Sequence, residues 1–162
     1  MFHNLSCAKI NKSLYSINQH PDLIMKKTNQ KELNLHYKAL DILQNMYVPK
    51  IAFTMSIDET VYIVMEKIKG MNVADMYGEN PLDIPANIFE QIRHILHTLK
   101  NNKLDYIDIT GYNFIVDEDH KIHIIDFEHS IDRTIHTNIN DGQSWFLNTF
   151  LDGINIWNPD FE

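Results

Sequence analysis

The sequence predicts an α+β fold, in which a small antiparallel sheet with one helix is followed by a mostly helical second half. Three observations predict it. Short runs of alternating apolar and polar residues, typical of strands, occupy much of the chain before Gly70. A long apolar stripe with helical period follows between residues 84 and 99. Beyond it, two more strand-like runs flank a polar turn.

Composition narrows the class of protein. The chain has 162 residues, of which 44% are hydrophobic, so it can bury a real core as one or two small lobes. Its net charge of −8, without a basic run, argues against nucleic acid as a main partner. The single cysteine, Cys7, excludes a disulfide framework and favours a reducing, cytoplasmic setting. There is no signal-peptide core, and no apolar run approaches the ~20 residues that span a bilayer.

Two strands are predicted near the N-terminus, over residues 13–17 and 23–27. Because side chains alternate across a strand, Ile24 and Lys26 share one face of the second strand and Lys27 lies on the other. Strand register can slip by one residue, so the pattern alone leaves open which lysine faces the interior.

A helix is predicted over residues 28–44, followed by a strand pair over 51–56 and 60–66. Glu32 lies in the first turn of this helix. It admits two interpretations, because Asn29 at the N-cap with Glu32 three residues later is a capping box. The alternative is that the Glu32 carboxylate pairs with a lysine of the preceding strand.

Gly70 is the predicted boundary between two parts, residues 1–69 and residues 70–162. After a short helix over residues 72–77, the most regular helix of the chain is expected to begin with Asp83 as its N-cap and Pro85 in its first turn. Its apolar stripe consists of Ile84, Ile88, Ile92, Ile95, Leu96 and Leu99.

The stretch on which the functional interpretation depends runs from Tyr106 to Ser130. Asp108 and Asn113 are separated by four residues, and strand-like runs at 114–116 and 122–125 follow. The second run leads directly into Asp126, thirteen residues after Asn113. Since a hairpin returns the chain to its starting point, we expect these three oxygen-bearing side chains to face one small volume.

The region after Ser130 is predicted to be a polar segment over residues 131–142 and a last helix over 143–151. We expect apolar side chains of this helix and of the tail to pack back on the molecule. They are Trp145, Phe146, Phe150, Trp157 and Phe161.

The central stretch resembles the catalytic core of the protein-kinase-like superfamily. The family pattern is H-R-D-x-x-x-x-N followed by D-F-G, and this chain has Y-I-D-x-x-x-x-N followed by D-F-E. The resemblance implies a bilobal fold with a truncated C-terminal lobe, as in minimal kinases of bacterial effector or viral and phage-encoded type. It also implies ATP and Mg²⁺ as cofactors. Asp108 would orient or deprotonate the acceptor hydroxyl, and Asn113 and Asp126 would bind the metal.

The resemblance extends to the N-terminal half, from about residue 13. The run L-I-M-K is similar to the family's V-A-I-K, which makes Lys26 the expected ATP lysine, with Lys27 as the alternative. Glu32 is the candidate for the helix glutamate that pairs with it.

The fifth strand and the following turn are similar to the family's hinge, including E-x-x-x-G. By that match, Met65 would lie behind the adenine, and the backbones of Glu66 and Ile68 would bind its edge.

The chain departs from the family pattern in ways that bear on activity. No glycine precedes Gly70, although the family covers the phosphates with a glycine-rich loop. We therefore expect weaker nucleotide binding, or a cover made by polar residues at positions 11–13. Tyr106, Thr110 and Glu128 replace the motif histidine, the lysine near the γ-phosphate and the glycine after D-F.

Three functions remain open at this point. The first is a minimal serine/threonine protein kinase, with a protein substrate or an activating protein partner, in the cytoplasm of the cell or of an infected host. The second is a pseudokinase that serves as a protein-binding module, favoured by the missing glycines. The third is a small-molecule kinase of the aminoglycoside or lipopolysaccharide type, favoured by I-D-F-E.

Overall fold

The computed structural model describes residues 5–136 and 143–161, without the side chains of residues 143 and 144. The described strands and helices follow in chain order. They are β1 (Cys7–Lys9), β2 (Leu14–Ile17), β3 (Leu23–Thr28), α1 (Gln30–Ile42), β4 (Ile51–Ile57), β5 (Thr60–Glu66), β6 (Gly70–Asn72), α2 (Val73–Tyr77), α3 (Ala86–Asn101), β7 (Leu104–Asp105), β8 (Phe114–Asp117), β9 (Ile122–Ile124), β10 (Ile131–Asp132) and α4 (Gln143–Leu151).

The N-terminal strands form one antiparallel sheet in the order β1-β2-β3-β5-β4. Helix α1 contacts β5, and its Leu33 packs with Val61, Ile63 and Met65 in one small core. The opposite face of the sheet has a separate core around Met25 and other alternate residues. This alternation of faces is what the period-two pattern predicted, and the architecture confirms the α+β fold class.

Helix α1 is shorter than the predicted span of residues 28–44. Asn29 is its N-cap, and the Asn29 side chain accepts a hydrogen bond from the Glu32 backbone amide. At the other end, Gln44 and Asn45 have positive φ angles of 53° and 60°, so the backbone leaves the helical region there.

Helix α3 begins later than predicted, and the prediction of Asp83 as its N-cap is wrong. Asp83 ends a 3₁₀ turn, Pro81–Asp83, which the Asn80 side chain caps through the Leu82 amide. Pro85 takes the N-cap position, without a side-chain cap. The backbone N–H groups at the start of a helix have no partner within the helix, so proline, which has no N–H, is tolerated there. The helix can therefore start directly after Pro85.

The apolar stripe is buried as predicted, and it forms the centre of a third and larger core together with β7, the β8–β9 hairpin and α4. Phe146 and Phe150 of α4 are fully buried in this core, and Trp157 of the tail packs on Phe89 and Phe114. Trp145 is 58% exposed, so its predicted packing is wrong.

The β8–β9 hairpin brings the two halves of the predicted site together. Strand β8 pairs with both β6 and β9, and Phe114 lies opposite Ile124. Just beyond this pair, the Ile125 amide donates to the Asn113 carbonyl over 3.0 Å. None of the described helices has the length and apolar character to cross a bilayer.

Candidate active site

Lys26 lies at the centre of a three-residue ionic cluster. Its ammonium group contacts the Glu32 carboxylate at 2.7 Å and the Asp126 carboxylate at 3.3 Å. Burial lowers the pKa of Lys26, but the charges of Asp126 and Glu32 outweigh burial and raise it above its usual value. The lysine is therefore a fixed cation at a point where β3, α1 and the segment after β9 meet.

Glu32 pairs with Lys26, and only the Asn29 half of the capping box is formed. Its backbone amide is capped by Asn29 at 2.9 Å, as in a capping box. Its carboxylate does not turn back to the N-cap, because it accepts from Lys26 and, at 2.5 Å, from the Thr28 hydroxyl. With a side chain only 2% exposed, Glu32 serves to hold the lysine. Lys27 is exposed on the other face of the strand.

Asp126 reaches this cluster through an unusual backbone conformation. Its φ of 64° lies in the left-handed region, which Asp tolerates better than most residues. The preceding residue is held on both sides, since the Ile125 amide donates to Asn113 and the Ile125 carbonyl accepts from the Tyr106 hydroxyl at 2.6 Å. The Asp126 side chain is 34% exposed, so it faces both Lys26 and the solvent of the cleft.

Asp108 lies close enough to Asp126 for their charges to interact. Burial raises the pKa of Asp108, the Asp126 charge raises it further, and the resulting value is about 6 in spite of the opposing effects of His129 and Asn113. Asn113 also donates its side-chain amide to the Asp108 backbone carbonyl at 3.0 Å. A carboxyl group that titrates near neutral pH can exchange a proton with a hydroxyl group.

The backbone of residues 107–111, the loop that holds Asp108, is supported from the C-terminal tail. Asn158 is 1% exposed; its side-chain amide donates to the Ile107 carbonyl at 2.9 Å, and its backbone amide donates to the Ile109 carbonyl at 2.8 Å. On the other side, the Gly111 carbonyl accepts from Ala74 of α2. Two elements distant in sequence thus fix the loop on either side of Asp108. Nothing in the sequence pattern pointed to Asn158.

The predicted adenine side of the cleft contains a buried methionine and an available amide. Met65 is 7% exposed and lies between Ile24 and Ile51 in the sheet. The Glu66 amide is already bonded to the Lys50 carbonyl, whereas the Ile68 N–H donates to no acceptor within residues 5–136 and 143–161. The hinge roles of Met65, Glu66 and Ile68 stay predictions.

The turn between β1 and β2 contains residues 11–13, which the resemblance suggested as a polar cover in place of the glycine-rich loop. Its Asn11 side chain accepts hydrogen bonds from the backbone amides of Ser13 and Leu14, both at 3.0 Å. These amides are therefore engaged within the turn. What the turn presents to a phosphate is mainly the exposed Lys12 side chain.

Two ion pairs that the sequence analysis missed fasten the segment after Ser130. Lys38 of α1 contacts Asp132 at 2.5 Å, and Arg133 donates to Asp105 at 2.8 Å. The predicted segment was residues 131–142, of which 137–142 lie outside the described residues. Lys38 lies in the second half of α1, the helix that carries Glu32, so the pair joins this helix to the segment.

A magnesium ion suits the oxygens of Asp126 and Asn113, but these residues do not form a complete cage. Within the described residues, no group of three His, Cys, Asp or Glu side chains could by itself hold a metal. Mg²⁺ is usually bound by one or two carboxylates together with water and substrate phosphates. The donor set therefore fits a metal that arrives with a nucleotide.

Comparison with known proteins adds a family and a structural neighbour. The model of the RIO domain family matches residues 7–141, well over half of the chain. Among solved structures, the chain is similar to the kinase PK-1 of the Cydia pomonella granulovirus, at 14% sequence identity and a TM-score of 0.63. The match covers 96% of this chain and 71% of the viral kinase. No curated protein matches the sequence.

Proposed function

The chain belongs to the RIO domain family of protein-kinase-like phosphotransferases, and we propose that it is an ATP-dependent kinase that phosphorylates a serine or threonine hydroxyl of a protein. The observation that carries the proposal is the cluster of Lys26, Glu32 and Asp126 beside Asp108. A partly buried lysine held between two carboxylates is a costly arrangement for stability alone. It is explained if the lysine binds phosphate oxygens.

Each residue of the cluster has a distinct proposed role. Lys26 neutralises nucleotide phosphates, and Glu32 keeps it in place. Asp126 and Asn113 supply oxygens to Mg²⁺, which in kinases neutralises charge on the phosphates. Asp108 accepts a hydrogen bond from the acceptor hydroxyl and takes its proton. Phosphoryl transfer requires mainly this kind of positioning and charge neutralisation.

Nucleotide binding is the first test. We expect ATP to raise the melting temperature of the wild-type protein only modestly without Mg²⁺ and clearly with it. Asp126→Asn should abolish the Mg²⁺-dependent part, because the carboxylate is the charged metal ligand. Asp119→Asn, an exposed change in the β8–β9 turn, is the matched control and should behave as wild type. An equal Mg²⁺ response in both variants would contradict the metal role.

Phosphoryl transfer is the second test. Incubation with γ-labelled ATP should label the wild-type chain or a generic protein acceptor on serine or threonine, and Asp108→Asn should remove the label while Asp119→Asn retains it. Label that appears on aminoglycosides and not on protein would instead support a small-molecule kinase.

A protein-binding module is the second candidate function, and the β1–β2 turn favours it. The Ser13 and Leu14 amides that could cradle phosphates are taken by Asn11. Absence of any thermal shift with ATP and Mg²⁺ would support this candidate. If the kinase proposal holds, Asn11→Gly should free these amides and strengthen nucleotide binding.

A further inference from the structure

A cavity lies beside the proposed active site, between α1 and the segment that follows Asp126. Its volume is about 390 Å³. One wall is the solvent side of α1, with Lys31 and Asn34, and the opposite wall is formed by His129, Ser130 and His136. None of these residues was given a role in binding the nucleotide, although the charge of His129 lowers the pKa of Asp108, so the cavity adjoins the proposed active site.

Two side chains at this cavity offer free hydrogen-bond donors, whereas the side-chain oxygens of Asn34 and Asp132 already accept hydrogen bonds. Lys31 is exposed and has no ion pair among the described residues. The Asn34 carbonyl oxygen accepts from Gln30 at 2.8 Å, which leaves the Asn34 amide NH₂ as the available group. The carboxylate of Asp132 is neutralised by Lys38 and accepts from the Thr134 hydroxyl and amide.

One of the residues that line the cavity carries an unpaired polar group. Ser130 is 4% exposed, and its hydroxyl oxygen has no hydrogen-bond partner among the residues that the structure describes. An unsatisfied buried hydroxyl costs about 1–3 kcal/mol. A ligand that forms a hydrogen bond with this hydroxyl would remove that cost.

The remaining lining is apolar and lies next to the donors. Leu35, Ile107, Ile131 and Ile135 contribute to the cavity wall, and the ring of Phe161 contacts the His129 ring with centroids 5.1 Å apart. A bare inorganic ion would leave this surface uncovered. A ligand that joins an anionic head to an apolar body would use both parts of the cavity.

We propose that this cavity binds a phosphate monoester with an apolar body, whose phosphoryl oxygens are bound by Lys31, Ser130 and the two histidines. The imidazoles of His129 and His136 each offer at least one N–H in any protonation state. The bound group would bridge α1 and the following segment, in parallel with the Lys38–Asp132 pair. The site adjoins the loop that holds Asp108 but shares no side chain with the cluster of Lys26, Glu32 and Asp126, and its test requires neither ATP nor transfer.

The experiment is a titration of the wild-type protein with phenyl phosphate, inorganic phosphate and phenol, followed through the NMR signals of His129 and His136. Ionic strength is held constant with sodium chloride. We expect saturable shifts of both histidine signals with phenyl phosphate, weaker binding of inorganic phosphate by at least about threefold because the ring covers apolar surface, and no saturation with phenol.

Three variants locate the binding. Lys31→Gln should weaken phenyl phosphate binding by roughly threefold or more, as expected for loss of one exposed charge contact. Lys121→Gln, which removes an exposed lysine of the β8–β9 turn, should leave it unchanged. Ser130→Ala should weaken binding while the unliganded protein keeps or gains stability, because the change removes an unsatisfied group.

Several results would overturn the proposal. One is that sodium chloride alone reproduces the shifts of the histidine signals. Another is that Lys31→Gln or Ser130→Ala binds phenyl phosphate with the same affinity as the wild type. Equal affinities for inorganic phosphate and phenyl phosphate would refute the apolar part and assign the site to free phosphate.

Discussion

Replacing Asp108 with asparagine should make the protein more stable while it removes phosphoryl transfer. The two side chains have nearly the same size, and Asn113 can keep its bond to the backbone carbonyl of residue 108. The change therefore removes mainly a negative charge. In the wild type this charge is held in a nearly buried position, 9% exposed, and it faces Asp126.

The size of the effect follows from the pKa of Asp108. Its rise from 3.8 to about 6 means that ionisation costs more in the folded than in the unfolded protein. At about 1.4 kcal/mol per unit, this corresponds to roughly 3 kcal/mol above pH 6. Because water in the open cleft screens the charge, we expect Asp108→Asn to increase the free energy of unfolding by about 1–2 kcal/mol.

The pH dependence of this gain identifies its cause. The folded state binds the Asp108 proton more tightly than the unfolded state, so the wild type loses stability as pH rises from about 4 to about 6. Below this window both forms are neutral at residue 108, and the difference between wild type and Asp108→Asn should vanish. Above it, the difference should be constant.

Urea denaturation of the nucleotide-free protein at a series of pH values measures both quantities. Asp119→Asn is the control, since it removes an exposed carboxylate from the β8–β9 turn. The reasoning would be refuted if Asp108→Asn were less stable than the wild type at pH 7.5. A gain that is the same at pH 4 and pH 7.5 would also refute it, because the gain would then not come from charge.

Three further outcomes are expected. Asn158→Ala should lower the free energy of unfolding, measured by denaturation, by about 1–3 kcal/mol, because the Ile107 carbonyl loses a buried partner. Steady-state kinetics should show a larger effect of this change on kcat than on KM. Gly70→Ala should prevent stable folding, seen as loss of a cooperative thermal transition, since a Cβ there would lie 2.0 Å from the Val116 carbonyl oxygen. The kcat of the wild type should rise about tenfold per pH unit below pH 6 and then level off, because Asp108 acts as a base only when ionised.

Each of these outcomes has a control. Asn102→Ala removes an exposed amide that bonds the Thr98 carbonyl at the end of α3, and it should have little effect on kcat. Gly153→Ala introduces only backbone strain, since φ is +114° and no atom lies within 4 Å of the added carbon. A Gly70→Ala protein as stable as Gly153→Ala, an unchanged kcat in Asn158→Ala, or a flat pH profile would contradict the respective prediction.

The sequence was most informative where a local pattern determines a local structure. The β8–β9 hairpin was predicted because alternation, a polar turn and the interval between Asn113 and Asp126 agree with one another. The period-two rule placed Lys26 and Lys27 on opposite faces, and the resemblance of L-I-M-K to V-A-I-K selected Lys26. The structure shows the contact of Lys26 with Glu32 and Asp126. The catalytic and metal-binding roles of these residues stay predictions.

The errors arose where packing or neighbouring turns compete with a local preference. Asp83 is a good N-cap residue in isolation, but it ends a 3₁₀ turn whose own cap is Asn80, and α3 starts after Pro85. Trp145 is large and apolar, yet it projects from the outer side of α4, while Phe146 fills the core beside it. No local pattern distinguishes these two aromatic neighbours.

Contacts between distant segments were beyond prediction from one sequence. The pairs Lys38–Asp132 and Arg133–Asp105 depend on how α1 and the segment after Ser130 are brought together by the fold. Asn158 was also missed, because a single asparagine in a tail is most often a turn residue. Its importance comes from being buried beneath the loop that holds Asp108.

The dependence of that loop on Asn158 also has a consequence for the order of events during synthesis of the chain on the ribosome. Lys26, Asp108 and Asp126 are all synthesised well before residue 158, yet the carbonyls of Ile107 and Ile109 receive their partners only from that residue. These two hydrogen bonds of the loop that holds Asp108 can therefore form only after residue 158 has been added to the chain.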